Sequence, residues 1–133
     1  MRVILDSNFL FIPSQFQVDI FEELPKLLNQ RLDLVILSPT QMELREKAKR
    51  GCTSPKTRKR TSLALELAKK CHLVTVEQDF GETPDDIIVR VAAEWKCPVA
   101  TNDRALRKRL RDISVPVIYL RQKSRLEMEG EGH

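Results

Sequence analysis

Five acidic residues stand where an apolar run gives way to a polar segment. Asp6 closes the run Arg2–Leu5 in L-D-S-N, Glu43 lies two turns into the helix expected after Leu34–Leu37, and Asp85 and Asp86 open the helix expected after a third run. Asp103 follows the fourth run, in A-T-N-D-R. Open parallel sheets bind ligands beyond the carboxyl ends of their strands, so acids from four βα units are expected to meet at one edge. Carboxylates without His or Cys neighbours form a hard-oxygen site suited to Mg²⁺ or Mn²⁺ rather than zinc. Each acid also has a plainer explanation. Asp85 and Asp86 suit the positive end of a helix dipole, Asp103 suits a helix cap, and Glu43 suits a solvated helix face. Asp6 has little such local reason. Gathered together, the carboxylates would repel one another unless a cation sat among them.

Other chemistries are excluded by what the chain lacks. With four glycines, two of them at positions 130 and 132, neither a P-loop nor a G-x-G-x-x-G turn can be built. Cys52, Cys71 and Cys97 have no C-x-x-C spacing, which predicts reduced thiols in a cytoplasmic protein. No apolar stretch approaches a membrane span, and the run after Arg2 stops too soon for a signal peptide. A haloacid-dehalogenase-type phosphatase also has an Asp after its first strand and a paired Asp-Asp. It needs a second Asp two residues on, where this chain has Asn8.

The charge is divided unevenly. Of 133 residues, 41% are apolar and 32% charged, and the net charge is +4. Residues 1–46 carry four basic and seven acidic side chains, and the remainder nineteen and twelve. Lys47–Arg60 holds seven basic residues, Lys56, Arg58, Lys59 and Arg60 among them, and no acid. Arg104, Arg107, Lys108, Arg109 and Arg111 form a second cluster. Such patches suit a polyanion, whose counterions are released on binding, and equally suit a solvated helix face.

The elements that must position these residues alternate. Strands are expected at Arg2–Leu5, Leu34–Leu37, Leu73–Val76, Pro98–Thr101 and Val115–Leu120. Helices are expected over Val18–Gln30 with a kink or restart at Pro25, from Ser38 as N-cap to Arg50 and Gly51, over Arg58–Lys70, from Thr83-Pro84 to Trp95, and over Asn102–Arg111. Cys52–Thr57 reads as a basic loop, and residues 124–133 as an acidic, frayed tail. Continuously apolar strands alternating with helices predict one α/β domain, a parallel sheet covered on both faces.

V-I-L-D-S-N-F-L, M-E-L, D-D-I-I-V-R-V-A, V-A-T-N-D-R-A-L-R-K-R-L and V-P-V-I-Y-L-R-Q-K, in that order, resemble the PIN-domain nucleases over residues 1–123. The likeness is strongest to small archaeal PIN proteins similar to VapC-type toxins, and extends to eukaryotic PIN nucleases of pre-ribosomal RNA processing. It implies a three-layer α/β/α domain with a five-stranded parallel sheet of order 3-2-1-4-5. It also implies a Mg²⁺ or Mn²⁺ site and hydrolysis of single-stranded RNA, or of structured rRNA or tRNA, by activated water. Asp6, Glu43 and Asp103 match family acids, and the third acid falls on Asp85 or Asp86, with Asp85 favoured. Ser7, Asn8, Thr101 and Asn102 match the polar residues that support them. Arg104, Arg107 and Lys108 are placed to grip phosphates, with Lys56–Arg60 extending the groove. The implied partners are an antitoxin or a ribosomal precursor, and a homodimer is common in the family. The alternative is a non-catalytic RNA-binding ribosome-assembly factor with the same fold.

Overall fold

The computed structural model describes residues 1–50 and 54–130. Strand β1 (Arg2–Leu5) runs into a 3₁₀ turn (Ser7–Phe11) and short helix α1 (Ile12–Phe16), followed by α2 (Ile20–Leu28), β2 (Asp33–Leu37), α3 (Ser38–Lys49) and α4 (Pro55–Ala68). The chain continues through β3 (His72–Val74), α5 (Pro84–Trp95), β4 (Val99–Ala100), α6 (Arg104–Asp112), β5 (Val117–Arg121) and β6 (Arg125–Glu129). Strands β3-β2-β1-β4-β5 are parallel in that order, and β6 adds antiparallel to β5. The topology switches beside β1, where the sheet grows first toward β2 and later toward β4. In open α/β sheets, ligands bind at such a switch point, beyond the carboxyl ends of the strands.

Both faces of the sheet are buried. Val3, Leu5 and Ile36 point into one core with Phe9, Leu10, Ile20, Leu24 and Leu44, while Ile4, Val35 and Leu37 point into the other with Ile87, Ile88, Val91 and Leu106. Alternate residues of β1 thus feed opposite cores, and this is why the strand is apolar throughout. Among the described residues no helix is long and apolar enough to cross a membrane.

Several expectations are corrected. The sheet has six strands, not five, and part of the supposed tail is β6. Its R-L-E-M-E alternation puts Leu126, 7% exposed, and Met128 against the core. This period of two, hidden by its glutamates, is the signature of a strand with one wet face. Residues 131–133 lie outside the described residues. Helix α4 starts at Pro55 with Ser54 Oγ accepting from Thr57 N, so the expected basic loop is half helix. Gly51 and Cys52 lie outside the described residues. Helix α2 passes through Pro25 without restarting. Ser38 does not cap α3; its Oγ accepts from Val76 N at 3.0 Å and ties that helix to the segment after β3. The 3₁₀ turn and α1 had no counterpart in the sequence reading, although Phe9, Leu10 and Ile12 are fully buried.

Candidate active site

Strand β1 delivers Asp6 at its carboxyl end, with only 4% of the residue exposed. One oxygen, Oδ1, accepts from Ser7 N at 2.8 Å, and Oδ2 accepts from the Thr101 hydroxyl at 2.8 Å. Both donors are uncharged. Burial, reinforced by the charges of Asp85 and Glu43, outweighs these hydrogen bonds and lifts the Asp6 pKa from an ordinary 3.8 to about 6.

The supporting residues join three strand ends. Asn8 Oδ1 accepts from Asn102 N at 3.1 Å, and Asn102 Oδ1 accepts from Leu120 N at 2.8 Å. Asp103 N donates to Thr101 Oγ1 at 3.1 Å. The segments after β1 and β4 are therefore pinned to each other and to β5 by neutral amides and hydroxyls. These groups fix positions without neutralising charge. Ser7 Oγ donates to Glu43 Oε1 at 2.9 Å, bringing α3 to the same edge.

Asp85 and Asp86 occupy one helix turn and have opposite environments. Asp86 completes a capping box, accepting from Thr83 N at 2.9 Å while its own N–H donates to Thr83 Oγ1 at 3.1 Å. It also pairs with Arg109 at 2.9 Å. The Thr83 amide and Arg109 hold its pKa down. Asp85 is partly buried, and burial followed by the charges of Asp103 and Glu43 pushes its pKa up. Of the two, Asp85 shares its field with the other acids. Asp103 caps α6, its Oδ1 accepting from Leu106 N at 3.1 Å, so the plain reading of this residue holds beside the functional one.

Among the described residues, no ion pair involves Asp6, Glu43, Asp85 or Asp103. The donor set is anionic oxygen whose like charge Arg109 offsets only in part, at Asp85, which is the chemistry of a Mg²⁺ or Mn²⁺ site. No three of these side chains are drawn together into a finished shell. A cation there would complete its shell with water, as Mg²⁺ commonly does. One residue the sequence did not single out is Thr40, a turn before Glu43 on α3. It is 1% exposed, and its hydroxyl is the one buried side-chain polar atom without a hydrogen-bond partner among the described residues.

The basic residues fall in two places. Lys56, Lys59 and Arg60 border a shallow depression on α4, with Arg58 exposed on the same helix. Arg104, Arg107 and Lys108 lie on α6, directly after Asp103. Lys108 leans toward Asp112 at 3.6 Å, and Arg107 pairs with Glu129 at 2.6 Å.

Comparison with known proteins agrees with this arrangement. The model of a PIN-like domain matches residues 3–123. Ribonuclease VapC4 of Methanocaldococcus jannaschii is 31% identical over 130 residues, covering 97% of both chains. The structure of the PIN domain endonuclease Utp24 superposes with a TM-score of 0.78 at 28% identity, covering 98% of this chain and 92% of that one. VapBC2 from Rickettsia felis, solved bound to a DNA fragment from its promoter, shares the fold with a TM-score of 0.65 at 14% identity, covering 91% of this chain and 100% of that one. With its parallel sheet order, its acids at the carboxyl edge and a family match over nearly its whole length, the chain belongs to the PIN-like domain family.

Proposed function

We propose that this protein is a divalent-cation-dependent endoribonuclease that hydrolyses single-stranded RNA. The observation that carries the reading is the buried carboxylate of Asp6, held by neutral donors and facing other acids. Asp6 does cap the 3₁₀ turn through Ser7 N, but one neutral hydrogen bond does not offset the cost of a buried charge without a counter-charge. Ribonuclease VapC4 and the endonuclease Utp24, both similar over nearly the full chain, support the same chemistry.

Asp6, Asp85 and Asp103 would hold Mg²⁺ or Mn²⁺, with Glu43 assisting. When bound, such a cation lowers the pKa of water and neutralises charge gathering on the phosphoryl oxygens. Glu43 is steadied through Oε1 by Ser7, which leaves Oε2 to orient the attacking water and accept its proton. Thr101 and Asn8 keep Asp6 and the start of α6 in register. Asp86 acts through the capping box, setting the start of α5 and so the place of Asp85. The α6 and α4 cations would bind flanking phosphates.

The test is cleavage of a single-stranded RNA with Mn²⁺, Mg²⁺ or EDTA, by the wild type and Asp6→Asn. Cation-dependent cutting that disappears in the variant supports the proposal. Salt-sensitive RNA binding without cutting would hand the site to the assembly-factor reading. The biological role divides in a second assay. A toxin arrests growth on expression and is relieved by its antitoxin, whereas a processing factor is harmless and co-sediments with ribosomal precursors.

A further inference from the structure

Beside Asp103, residues of α1, α6, β5 and the β5–β6 turn enclose a depression of about 330 Å³ lined by Phe16, Arg104, Arg107, Tyr119, Arg121 and Lys123. That volume falls at the lower end of small-ligand sites, roughly 300–1,000 Å³. Asn102, which bridges the ends of β4 and β5, forms part of its wall and links it to the acid site.

Two features separate this depression from an ordinary basic surface. The first is the pairing of its cations. Arg107 lies 3.7 Å from the Tyr119 ring centroid and is tied to Glu129, and Arg121 is tied to Glu127 at 3.1 Å. Arg104 and Lys123 form no ion pair among the described residues. Two cations are thus anchored as walls and two are left to meet an anion. The second is backbone conformation. Ser124 N–H donates to Arg121 O at 3.1 Å, closing a turn whose central residues Gln122 and Lys123 have φ of 52° and 59°. Turns with two left-handed residues favour Asn-Gly, because a Cβ is disfavoured there. Here the turn carries two long side chains instead, one of them a cation on the pocket rim. Single left-handed residues also occur at Gln17, Asn29, Lys96 and Ser114, and this turn differs in having two in succession, which set Lys123 on the rim of the depression.

We propose that this depression is a nucleotide subsite, holding the nucleotide of the RNA substrate next to the scissile phosphate. Its phosphate lies against Arg104 and Lys123, and its base against Phe16 and the Arg107–Tyr119 stack. Unpaired bases are recognised by aromatic rings and guanidinium planes in this way. The assignment rests on the endoribonuclease reading for the identity of the ligand, but not for the existence of the pocket.

Amide chemical shifts of the wild-type chain in EDTA, titrated with adenosine monophosphate and separately with inorganic phosphate, test the site without any cleavage. Shifts confined to Phe16 and its neighbours and to residues 102–107 and 119–124, with nucleotide binding several-fold tighter than phosphate, are expected. Equal affinities would overturn the assignment in favour of a bare anion site, and shifts elsewhere would overturn it outright. Lys123→Gly supplies the second arm. It removes the charge and relieves the turn, so the melting temperature is expected to rise while KM for RNA rises about fivefold and its salt slope falls by about 0.7. A variant that is more stable and cuts RNA with unchanged KM would sink the subsite and leave the nuclease reading standing. Nucleotide binding in the pocket by a wild type that cuts no RNA would support the subsite and sink the nuclease reading.

Discussion

Acidic residues at the carboxyl edge of the sheet and those around it are treated in opposite ways. Outside, Glu82 receives two hydrogen bonds from Arg90, Asp86 pairs with Arg109, and Glu127 pairs with Arg121 and Arg125. Arg90 holds the pKa of Glu82 down, and the Thr83 amide together with Arg109 does so for Asp86. Inside, Asp6 and Asp85 are pushed up by burial and by neighbouring acids, and their hydrogen-bond partners are neutral or absent. The chain has 23 basic residues against 19 acidic, so cations are not scarce. Arg109 comes near enough to offset part of the Asp85 shift, yet none of these cations forms an ion pair with Asp6, Glu43, Asp85 or Asp103 among the described residues, which leaves room for positive charge to arrive with a ligand.

Asp6→Asn puts the largest strain on that contrast. Cleavage is expected to fall by about a thousandfold or more, since the central anionic oxygen is lost. Without added cation the same variant is expected to be more stable than wild type near neutral pH, by about 1–3 kcal/mol, because a buried like charge is gone. Asparagine keeps an acceptor for Ser7 N. Denaturant unfolding in EDTA reads the stability, and a destabilised variant would mean that Asp6 serves the fold.

The adjacent pair on α5 gives the next effect. Asp85→Asn is expected to lower cleavage by about a hundredfold or more while leaving the helix start intact. Asp86→Asn is expected to lower the melting temperature, through loss of the cap and the Arg109 pair, and to impair cleavage less. Equal losses of activity would erase the distinction between the two residues.

The pH dependence of the cation-free protein is smaller and has a definite sign. The folded-state pKa of Asp6 lies above its unfolded value, so the folded state binds this proton more tightly. Its contribution is present in full below pH ~4 and is lost as pH rises to ~6, by about 3 kcal/mol at most. Acids with lowered pKa, such as Glu82, work oppositely and lose stability as pH falls. Subtracting the profile of Asp6→Asn isolates the one residue. Saturating Mn²⁺ is expected to reverse the sign of the difference, since the cation binds the deprotonated site.

Much of this was legible beforehand, for definable reasons. Apolar runs that do not alternate mark strands buried on both faces, and Ser/Thr-Pro pairs mark helix starts. The pairs at Ser38-Pro39 and Thr83-Pro84 did so, and the same pair at Ser54-Pro55 begins α4, where a loop was expected. The strand ends then brought Asp85 within the fields of both Asp6 and Asp103. What stayed hidden depends on distance in space. The sequence shows two adjacent aspartates but not that Arg109, from the next helix, claims one of them. Strand β6 was obscured by its glutamates, whose partners Arg107, Arg121 and Arg125 come from α6, β5 and β6 itself. With β6 unread, the turn that carries Lys123 was unread as well.

Thr101 probes the neutral scaffold rather than the charge. It is fully buried; its hydroxyl donates to Asp6 and accepts from Asp103 N, so one oxygen fixes two of the acids. Thr101→Val keeps the shape and removes both bonds. Stability is expected to fall by about 1–3 kcal/mol, because buried partners are left unsatisfied. The hydroxyl also holds the Asp6 pKa down, so its removal is expected to move the acidic limb of the rate profile toward higher pH. Cleavage is expected to weaken by about tenfold, well short of the loss in Asp6→Asn. Thr101→Ser, which keeps the hydroxyl and loses a methyl, is expected to restore the pH profile while remaining somewhat less stable than wild type. If the serine variant keeps the shifted profile, the neutral hydrogen bonds are incidental, and the acids are positioned by their strands alone.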